Sequence, residues 1–278
     1  MSSHSERNDR RKPSEPGRDI RSKPRKPHGF SKGANDEKDW IWGFHAVEAA
    51  LANPARPAPK RLLVTAERAK RLAPNLAKLP CLQVLENNEI ARHLPSGAVH
   101  QGLALKIDPP EPLSIAELGT PAKGVLVMLD QITDPQNVGA IFRSAAAFGV
   151  RGVILQDRHA PALSGVLAKT AVGAVDKIPY AHVVNLSRAL EELADMGWRA
   201  IGLAGEAEQT LDVVLDGGPT VLVLGSEGEG VRRLVAEHCD AMGKIAMPGG
   251  FESLNVSAAA AIALYEASRV RVKDEISS

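Results

Sequence analysis

The sequence predicts an α/β protein whose main domain is a parallel sheet with helices on both faces. From Gly124 onwards, segments with strand character alternate with segments of helical periodicity. The expected strands are continuous apolar runs, as a parallel sheet buried on both faces requires. Hydrophobic residues make up 44% of the 278 residues, which is enough for a sizeable core.

A basic tail precedes the apolar part of the chain, and we expect residues 1–38 to be disordered. Residues 1–33 contain ten Lys or Arg and four Asp or Glu, a net charge of +6, whereas the whole chain carries +1. The remainder is therefore acidic, at −5. A tail of this kind either only solubilises the protein or holds an RNA backbone through phosphate contacts. Its composition leaves both readings open.

A small α/β domain is predicted for residues 39–108. The spacing of Phe44, Val47 and Leu51 is typical of a helix. The expected elements are a helix at 43–51, a strand at 61–65, a helix at 67–79 broken or kinked at Pro74, a strand at 82–85, a helix at 88–94 and a strand at 102–107. Three prolines at 109, 110 and 112 then predict a linker over 109–122, with a short helix at 114–118.

The main domain is predicted to span residues 123–274. The expected strands are 125–129, 152–155, 178–183, 199–203, 221–224 and 244–247, and the expected helices are 138–148, 163–172, 186–196, 231–237 and 256–270. In such sheets, ligands bind in loops beyond the carboxyl ends of the strands. Three polar loops at such positions are therefore the candidate site.

The first loop starts at residue 130, directly after an apolar strand, and leads into a helix. Asn137 suits the helix N-cap, and Gly139 permits the close approach of another backbone or a ligand. Ile141 lies on an apolar stripe of this helix, whereas Arg143 points to the opposite face. A solvated arginine is the simplest interpretation, but a position near a polar strand end favours a phosphate or ribose ligand.

The second loop follows the strand at 221–224 and contains three glycines with two glutamates between them. Its glycines, Gly225, Gly228 and Gly230, match neither of the common phosphate-loop spacings. Glu227 and Glu229 would also repel an anion at a helix start. The loop therefore favours a neutral or cationic ligand, such as a sulfonium compound.

The third loop follows the strand expected at 244–247. Ser253 and Asn255 stand at the entrance of a helix that is apolar nearly all round. A surface helix would have a polar face, so this helix is expected to be covered on more than one side. The sheet accounts for one side, and a second copy of the chain is the natural candidate for the other.

Together the three loops resemble the motifs of the SpoU/TrmH family of the SPOUT superfamily, which are S-adenosylmethionine-dependent RNA ribose 2′-O-methyltransferases. The first motif, N-x-G-x-x-x-R, is present at 137–143, the second, G-x-E-G-x-G, at 225–230, and the third, S-L-N-V-S, at 253–257. All three occur in order, each after a predicted strand. The G-x-x-x-V-x-x-A-L stretch at 43–51 and the H-Q-G-L stretch at 100–103 are similar to the L30e-like RNA-binding domain of bacterial members.

The resemblance implies a fold and an activity. It implies a deep trefoil knot, a homodimer, and S-adenosyl-L-methionine bound mainly by backbone groups; the contacts fall near Gly205, Gly225, Ile245, Met247 and Leu254. It also places Arg143 near the attacking oxygen, with loop geometry and nucleotide held by Asn137, Glu227, Ser253 and Asn255. The two-domain arrangement is most similar to members that methylate a guanosine ribose of 23S ribosomal RNA, free or in an assembling large subunit.

Three other functions remain open at this stage. They are a transfer RNA ribose methyltransferase, a non-catalytic RNA-binding protein of the ribosome, and a nicotinamide-binding domain, which lacks its glycine fingerprint here. The two cysteines, Cys81 and Cys239, favour neither a zinc site nor a disulfide framework. With no signal peptide or membrane span in the sequence, we expect a soluble cytoplasmic protein.

Overall fold

The computed structural model describes residues 39–249 and 253–277, with side chains up to Val270. The predicted disordered tail at residues 1–38 lies outside the described residues, and so do Gly250, Phe251 and Glu252.

The first part of the described chain forms a four-stranded sheet. Its elements are β1 (Trp40–Trp42), α1 (Phe44–Ala52), β2 (Arg61–Val64), α2 (Ala66–Ala69), a 3-10 turn (Leu76–Lys78), β3 (Leu82–Val84), α3 (Asn87–Ala91) and β4 (Leu103–Lys106). The strand order is β1-β4-β2-β3, with β4 antiparallel to both of its neighbours and β2 parallel to β3. The predicted helix at 67–79 is broken around Pro74, as expected. Strand β1 was not predicted, since three residues are too few to establish a pattern.

The second part forms a six-stranded sheet with helices between the strands. Its elements are α4 (Ile115–Gly119), β5 (Val125–Leu129), α5 (Pro135–Ala147), β6 (Gly152–Gln156), α6 (Gly165–Ala171), a 3-10 turn (Ala174–Asp176), β7 (Tyr180–Val183), α7 (Leu186–Asp195), β8 (Arg199–Leu203), α8 (Leu211–Val214), β9 (Thr220–Leu224), α9 (Arg233–Ala236), β10 (Ala241–Gly243) and α10 (Val256–Ser277). The strand order is β10-β8-β9-β5-β6-β7 and every neighbouring pair is parallel, which confirms the predicted parallel sheet.

Alternate residues of β5 enter two different hydrophobic clusters, one on each face of the large sheet. Val127 packs in a cluster with residues of α5, α6 and α10. Leu126 and Met128 pack in a cluster with residues of α4 and α7. Both faces are therefore covered, as the continuous apolar strands predicted. The carboxyl ends of β5, β8, β9 and β10 all meet at one edge, from which the three polar loops extend.

The strand predicted at 244–247 is wrong, because the last strand is β10 and ends at Gly243. Lys244 forms only an isolated bridge with Thr210. Its N–H donates to the Gln209 carbonyl, and its own carbonyl accepts from the Leu211 N–H. The chain thus leaves β8 at this point and follows the loop before α8, a helix that was also missed. The short apolar run of Ile245, Ala246 and Met247 indicated a strand, but these residues belong to a loop.

Helix α10 buries one face and exposes the other. The buried residues, such as Ala260, Ala263 and Leu264, pack against the large sheet and α5. On the opposite face, Ile262 is 38% exposed and Tyr265 is 52% exposed. Contacts within this chain therefore explain the apolar residues on the buried face of α10, but not those on its exposed face. No helix among residues 39–249 and 253–277 is both long enough and apolar enough to cross a membrane.

Candidate active site

Helix α5 begins one turn before the position that the sequence indicated. Asp134 is its N-cap: Oδ1 accepts from the Gln136 N–H at 3.2 Å, and Oδ2 accepts from the Asn137 N–H at 3.2 Å. Pro135 occupies the first helical position, where its missing N–H costs nothing. The prediction of Asn137 as the cap is therefore wrong. Because Asp134 caps the helix, the Asn137 side chain is available for other contacts; the Asp-Pro pair was the signal for this.

The three polar loops meet at one oxygen atom, Oε1 of Glu227. Asn255 Nδ2 donates to it at 2.8 Å, the Val256 N–H at 3.2 Å and Asn137 Nδ2 at 3.3 Å. Asn255 Nδ2 also lies 3.0 Å from Asn137 Oδ1. One residue from each motif thus takes part in a single hydrogen-bonded cluster, although the residues are 28 to 118 positions apart.

The loop that carries Glu227 is a tight turn that only glycine allows at its base. A Cβ on Gly225 would lie 1.9 Å from the carbonyl carbon of Gly230, so any side chain there would collide with backbone. The Gly230 N–H donates to the Ser226 carbonyl at 2.9 Å, which closes the turn. Gly228 at its tip has a φ of 94°, a conformation that favours glycine. The glycine spacing therefore shapes a turn that presents Glu227, rather than a cradle for phosphate.

Asn255 also caps helix α10. Its Oδ1 accepts from the Ser257 N–H at 2.9 Å and from the Ala258 N–H at 3.3 Å. Its amide group then faces Glu227 and Asn137, so one side chain both starts the helix and joins the cluster. Ser253 is exposed, and the described residues offer its side chain no hydrogen bond. The structure therefore does not bring Ser253 into the cluster.

Arg143 lies on the exposed face of α5, outside this cluster. The predicted apolar stripe is confirmed, since Ile141 and Ala145 are buried on the other face. Gly139 packs against α6, where a Cβ would lie 2.7 Å from the Leu167 carbonyl oxygen. Within the described part of the chain, the Arg143 guanidinium has no hydrogen-bond or ion-pair partner. It is about 9 Å along the helix axis from Asn137 and is available to an external ligand.

The sequence did not predict an ion pair between a buried aspartate at the end of β5 and an arginine after the Glu227 loop. Asp130 is fully buried at the end of β5, and Arg232, which is 37% exposed, follows the Glu227 loop. Arg232 Nε donates to Asp130 Oδ1 at 2.7 Å, and its backbone N–H donates to Oδ2 at 2.9 Å. Arg232 Nη2 also reaches Gln156 Oε1 at 3.2 Å. This pair fixes the end of the Glu227 loop to the neighbouring strands, and a separation of 102 residues gave no sequence signal for it.

The residues expected to hold the methyl donor lie at the same edge of the sheet. Gly205 follows the end of β8, Gly225 follows β9 directly, and Ile245 and Met247 follow β10. Leu254 precedes α10 and is 38% exposed. Because β10, β8 and β9 are neighbouring parallel strands, the segments that follow their carboxyl ends lie side by side. Their role in binding stays a prediction.

A shallow cavity of about 380 Å³ lies on the four-stranded sheet, away from this cluster. It is lined by Thr65, Glu67, Arg68, Asn87 and the loop at 98–102. Burial lowers the pKa of His100 in this loop, and the His100 Nδ1 lies 3.2 Å from the Gly102 N–H, which donates to it. The loop includes the H-Q-G-L stretch that the sequence singled out.

Both parts of the described chain match family models. Residues 124–265 match the model of the SpoU rRNA methylase family. Residues 40–113 match a model described as the substrate-binding domain of RNA 2′-O ribose methyltransferases.

Two curated relatives illustrate the range of matches. The chain is 38% identical to the 23S rRNA (guanosine-2′-O-)-methyltransferase RlmB of Photorhabdus laumondii over 241 residues, which cover 83% of this chain and 98% of that protein. It is 41% identical to an uncharacterised tRNA/rRNA methyltransferase of Mycolicibacterium vanbaalenii over 192 residues, or 66% of this chain. That match spans 61% of the mycobacterial protein, so the chain covers about three fifths of its length.

A solved structure has a similar fold. The SpoU methyltransferase AviRb from Streptomyces viridochromogenes, in complex with the cofactor AdoMet, superposes with a TM-score of 0.72 at 22% sequence identity. The superposition covers 84% of this chain and 90% of AviRb. The α/β fold with its six-stranded parallel sheet is therefore shared with that enzyme.

Proposed function

Because the chain belongs to the SpoU rRNA methylase family, we propose that it transfers a methyl group from S-adenosylmethionine to a ribose 2′-hydroxyl of RNA, at a guanosine of 23S ribosomal RNA. The observation that carries the proposal is the convergence of all three motif loops on Glu227 Oε1.

The residues at the strand ends fit a sulfonium methyl donor. The loop after β9 carries carboxylates and a tight glycine turn, which suits a cation better than a phosphate. The apolar side chains of Ile245 and Leu254 can wall an adenine ring, while the open backbone after β8 and β10 offers hydrogen-bonding groups. When bound, the donor supplies an already activated methyl group. The protein therefore mainly has to position the ribose hydroxyl and assist loss of its proton.

Arg143 is the residue that we assign to the target nucleotide. It is exposed on α5, one helix turn beyond Gly139, and is unpaired within the described residues. An arginine guanidinium stays protonated in proteins and binds phosphate in a bidentate manner. Arg143 thus orients the target phosphate and stabilises charge that develops on the 2′-oxygen, and it does not act as a simple base. Asn137, Glu227 and Asn255 hold the loops on which this geometry depends, and Ser253 contacts the nucleotide.

The finer features of the fold belong to the same proposal. A deep trefoil knot at the carboxyl end of the large sheet belongs to the proposal because the motifs resemble those of knotted family members; the Thr210–Lys244 bridge joins the loops after β8 and β10 at this end. The four-stranded sheet acts as an L30e-like RNA-binding domain over residues 39–108, followed by a linker at 109–122 and the methyltransferase domain at 123–274. Ribosomal RNA as the substrate implies that the protein works in the cytoplasm. The half-covered helix α10 supports a homodimer.

Labelled S-adenosylmethionine and two RNA substrates test the function. We expect the protein to methylate an in vitro transcript of 23S ribosomal RNA at one guanosine ribose and to leave transfer RNA unmodified. Methylation of transfer RNA instead would move the proposal to a transfer RNA enzyme. Incorporation into neither RNA would remove the enzyme assignment and favour a non-catalytic RNA-binding protein.

Replacing the exposed arginine tests its role. Arg143→Ala should reduce methyl transfer about 100-fold to 1000-fold, since the group acts on the transition state, while S-adenosylmethionine binds with unchanged affinity in calorimetry. The matched control is Arg188→Ala, which removes an exposed arginine from α7 and should leave the rate unchanged. An Arg143→Ala protein with the activity of the control would contradict the assignment.

A further inference from the structure

The segment of residues 165–176, which comprises α6 and the following 3-10 turn, lies between the two sheets. On one side it packs against α5, where Gly139 allows the two helix backbones to approach closely. On the other side it packs against the four-stranded sheet. A Cβ on Gly165 would lie 3.4 Å from the Trp42 ring, and a Cβ on Gly173 would lie 2.7 Å from the Ala49 Cβ. This segment is therefore in direct contact with both the small domain and the helix that carries Arg143.

A buried ion pair joins the small domain to the end of this segment. Arg56 Nε donates to Asp176 Oδ1 at 2.5 Å, and Arg56 Nη2 donates to Oδ2 at 3.1 Å, so the pair is bidentate. The two side chains are only 1% and 4% exposed. Asn53 Nδ2 donates to Asp176 Oδ1 at 3.0 Å, and Arg56 Nη1 donates to the Asp108 carbonyl at 2.8 Å. Asp176 is thus bound by two residues of the small domain, and Arg56 also holds the start of the linker.

A second polar contact joins helix α6 itself to the small domain. Lys169 Nζ donates to Gln101 Oε1 at 3.4 Å. The same oxygen accepts from the Phe44 N–H at 3.2 Å, and the Gln101 carbonyl accepts from Arg68 Nε at 2.9 Å. Gln101 belongs to the H-Q-G-L loop and has a φ of 56°, an uncommon backbone conformation for a residue other than glycine. The loop of the small domain is therefore tied to α6 as well.

We infer that Arg56 and Asp176 are positioning residues, which hold the RNA-binding sheet at a fixed distance from the helix that carries Arg143. The inference rests on the proposed function. A bidentate pair with buried partners defines orientation as well as contact. Two RNA-binding surfaces that are joined rigidly bind one RNA with little additional loss of freedom, whereas two loosely joined surfaces lose entropy when both engage. Fixed spacing also selects RNA whose docking element and target ribose are separated by the matching distance.

The test replaces the pair by apolar side chains of similar length, which keeps the buried contact but removes the directional bonds. In Arg56→Met/Asp176→Leu we expect affinity for a 23S ribosomal RNA transcript, measured by filter binding, to fall about tenfold. Affinity for S-adenosylmethionine should stay within twofold. The matched control is Arg199→Met/Asp216→Leu, which removes a partly exposed pair at the amino end of β8, within the large domain. It should leave both affinities within twofold.

The split between the affinity for RNA and the affinity for S-adenosylmethionine is the readout that a purely structural role would not move, and amide hydrogen exchange shows where the protein loosens. In the Arg56→Met/Asp176→Leu protein, residues 165–176 and 98–102 should exchange faster while the strands of both sheets keep their protection. Equal RNA affinity in this protein and the control would overturn the inference. If the double variant fails to fold, Asp176→Asn keeps the size of the side chain but removes the bidentate pair with Arg56, and it should still weaken RNA binding severalfold; unchanged binding would then overturn the inference. Failure of this inference and failure of the proposed function give different results. If the proposed function is wrong, the unaltered protein transfers no methyl group, whereas the RNA-binding measurement does not depend on methyl transfer.

Discussion

At the scale of single residues, Glu227 is the point on which the candidate site depends. Its Oε1 receives hydrogen bonds from Asn137, Asn255 and the Val256 N–H. A carboxylate oxygen accepts such bonds more strongly than a neutral oxygen, and it brings no N–H of its own into a cluster that already has three donors. The chemistry of this position therefore requires a carboxylate and not merely a polar side chain of the same size.

Replacing this carboxylate by an amide should weaken the cluster without changing its shape. Hydrogen bonds to a charged group contribute about 1.5–3 kcal/mol, so Glu227→Gln should lower kcat/KM for methyl transfer about 10-fold to 100-fold. The control is Glu229→Gln, which makes the same change two positions along the same exposed turn. Steady-state kinetics on both proteins checks the prediction. A Glu229→Gln loss equal to that of Glu227→Gln would point to the charge of the loop instead of the cluster.

Residue identities at the site were predictable from the sequence, but their contacts were not. Asn137, Glu227 and Asn255 were identified from motif spacing, and the structure brings the three together. The cap of α5 was assigned to Asn137 because Asn favours that role, yet Asp134 followed by Pro135 satisfies the helix start better. The pair of Asp130 and Arg232 could not be predicted, since neither residue has a pattern that points to the other.

At the scale of elements, burial explains which predictions succeeded. Strands such as β5 and β9 are fully buried over five residues, so their apolar runs identified them clearly. Strand β10 has only three residues, of which one is buried, and the apolar residues that follow it belong to a loop. The short apolar run at 245–247 therefore indicated a strand in the wrong segment. Whether such residues pair with β8 or with the loop at 209–211 depends on long-range contacts that periodicity does not record.

The Asp130–Arg232 pair predicts a measurable difference in stability between elements. Asp130 is fully buried. If its carboxylate is removed, the Arg232 guanidinium loses its partner and lies next to an apolar strand end. We expect Asp130→Ala to lower the free energy of unfolding by about 3 kcal/mol, the lower end for a buried pair, because Arg232 can reach water. Asp216→Ala breaks the partly exposed pair with Arg199 and should cost less than about 1 kcal/mol. Urea denaturation followed by tryptophan fluorescence measures both; equal losses would show that the Asp130 pair has no special structural role.

At the scale of the whole molecule, the class of fold was predictable and the arrangement was not. Alternating strands and helices indicated a parallel sheet, which the strand pairing confirms. The order β10-β8-β9-β5-β6-β7 does not follow from the pattern, because nothing in an apolar run specifies its neighbour. The same holds for the contacts of Arg56 with Asp176 and of Gln101 with Lys169, which lie 120 and 68 positions apart. Each of these contacts joins the small domain to the segment of residues 165–176.

The exposed apolar face of helix α10 predicts how copies of the protein assemble. Its buried face is filled by alanines and Leu264, whereas Ile262 and Tyr265 stay exposed one turn apart. The Tyr265 ring lies edge-on to the Phe148 ring, with 6.2 Å between the centroids. An apolar stripe of this kind on a helix that also carries the cap residue Asn255 would be covered by a second copy of the chain, which would bring the two candidate sites close to the interface. The unaltered protein should therefore be a dimer at micromolar concentration.

A charge placed in this stripe should separate the protomers without unfolding them. Ile262→Glu should give a monomer in light scattering after size exclusion, because a carboxylate buried against apolar side chains has no partner there. Leu234→Glu is the matched control: Leu234 is 58% exposed on α9, which packs on the opposite face of the sheet, and its replacement should leave the dimer intact. Methyl transfer should fall in the Ile262→Glu monomer and persist in the control. A monomeric unaltered protein, or a dimeric Ile262→Glu variant, would show that α10 is not the interface.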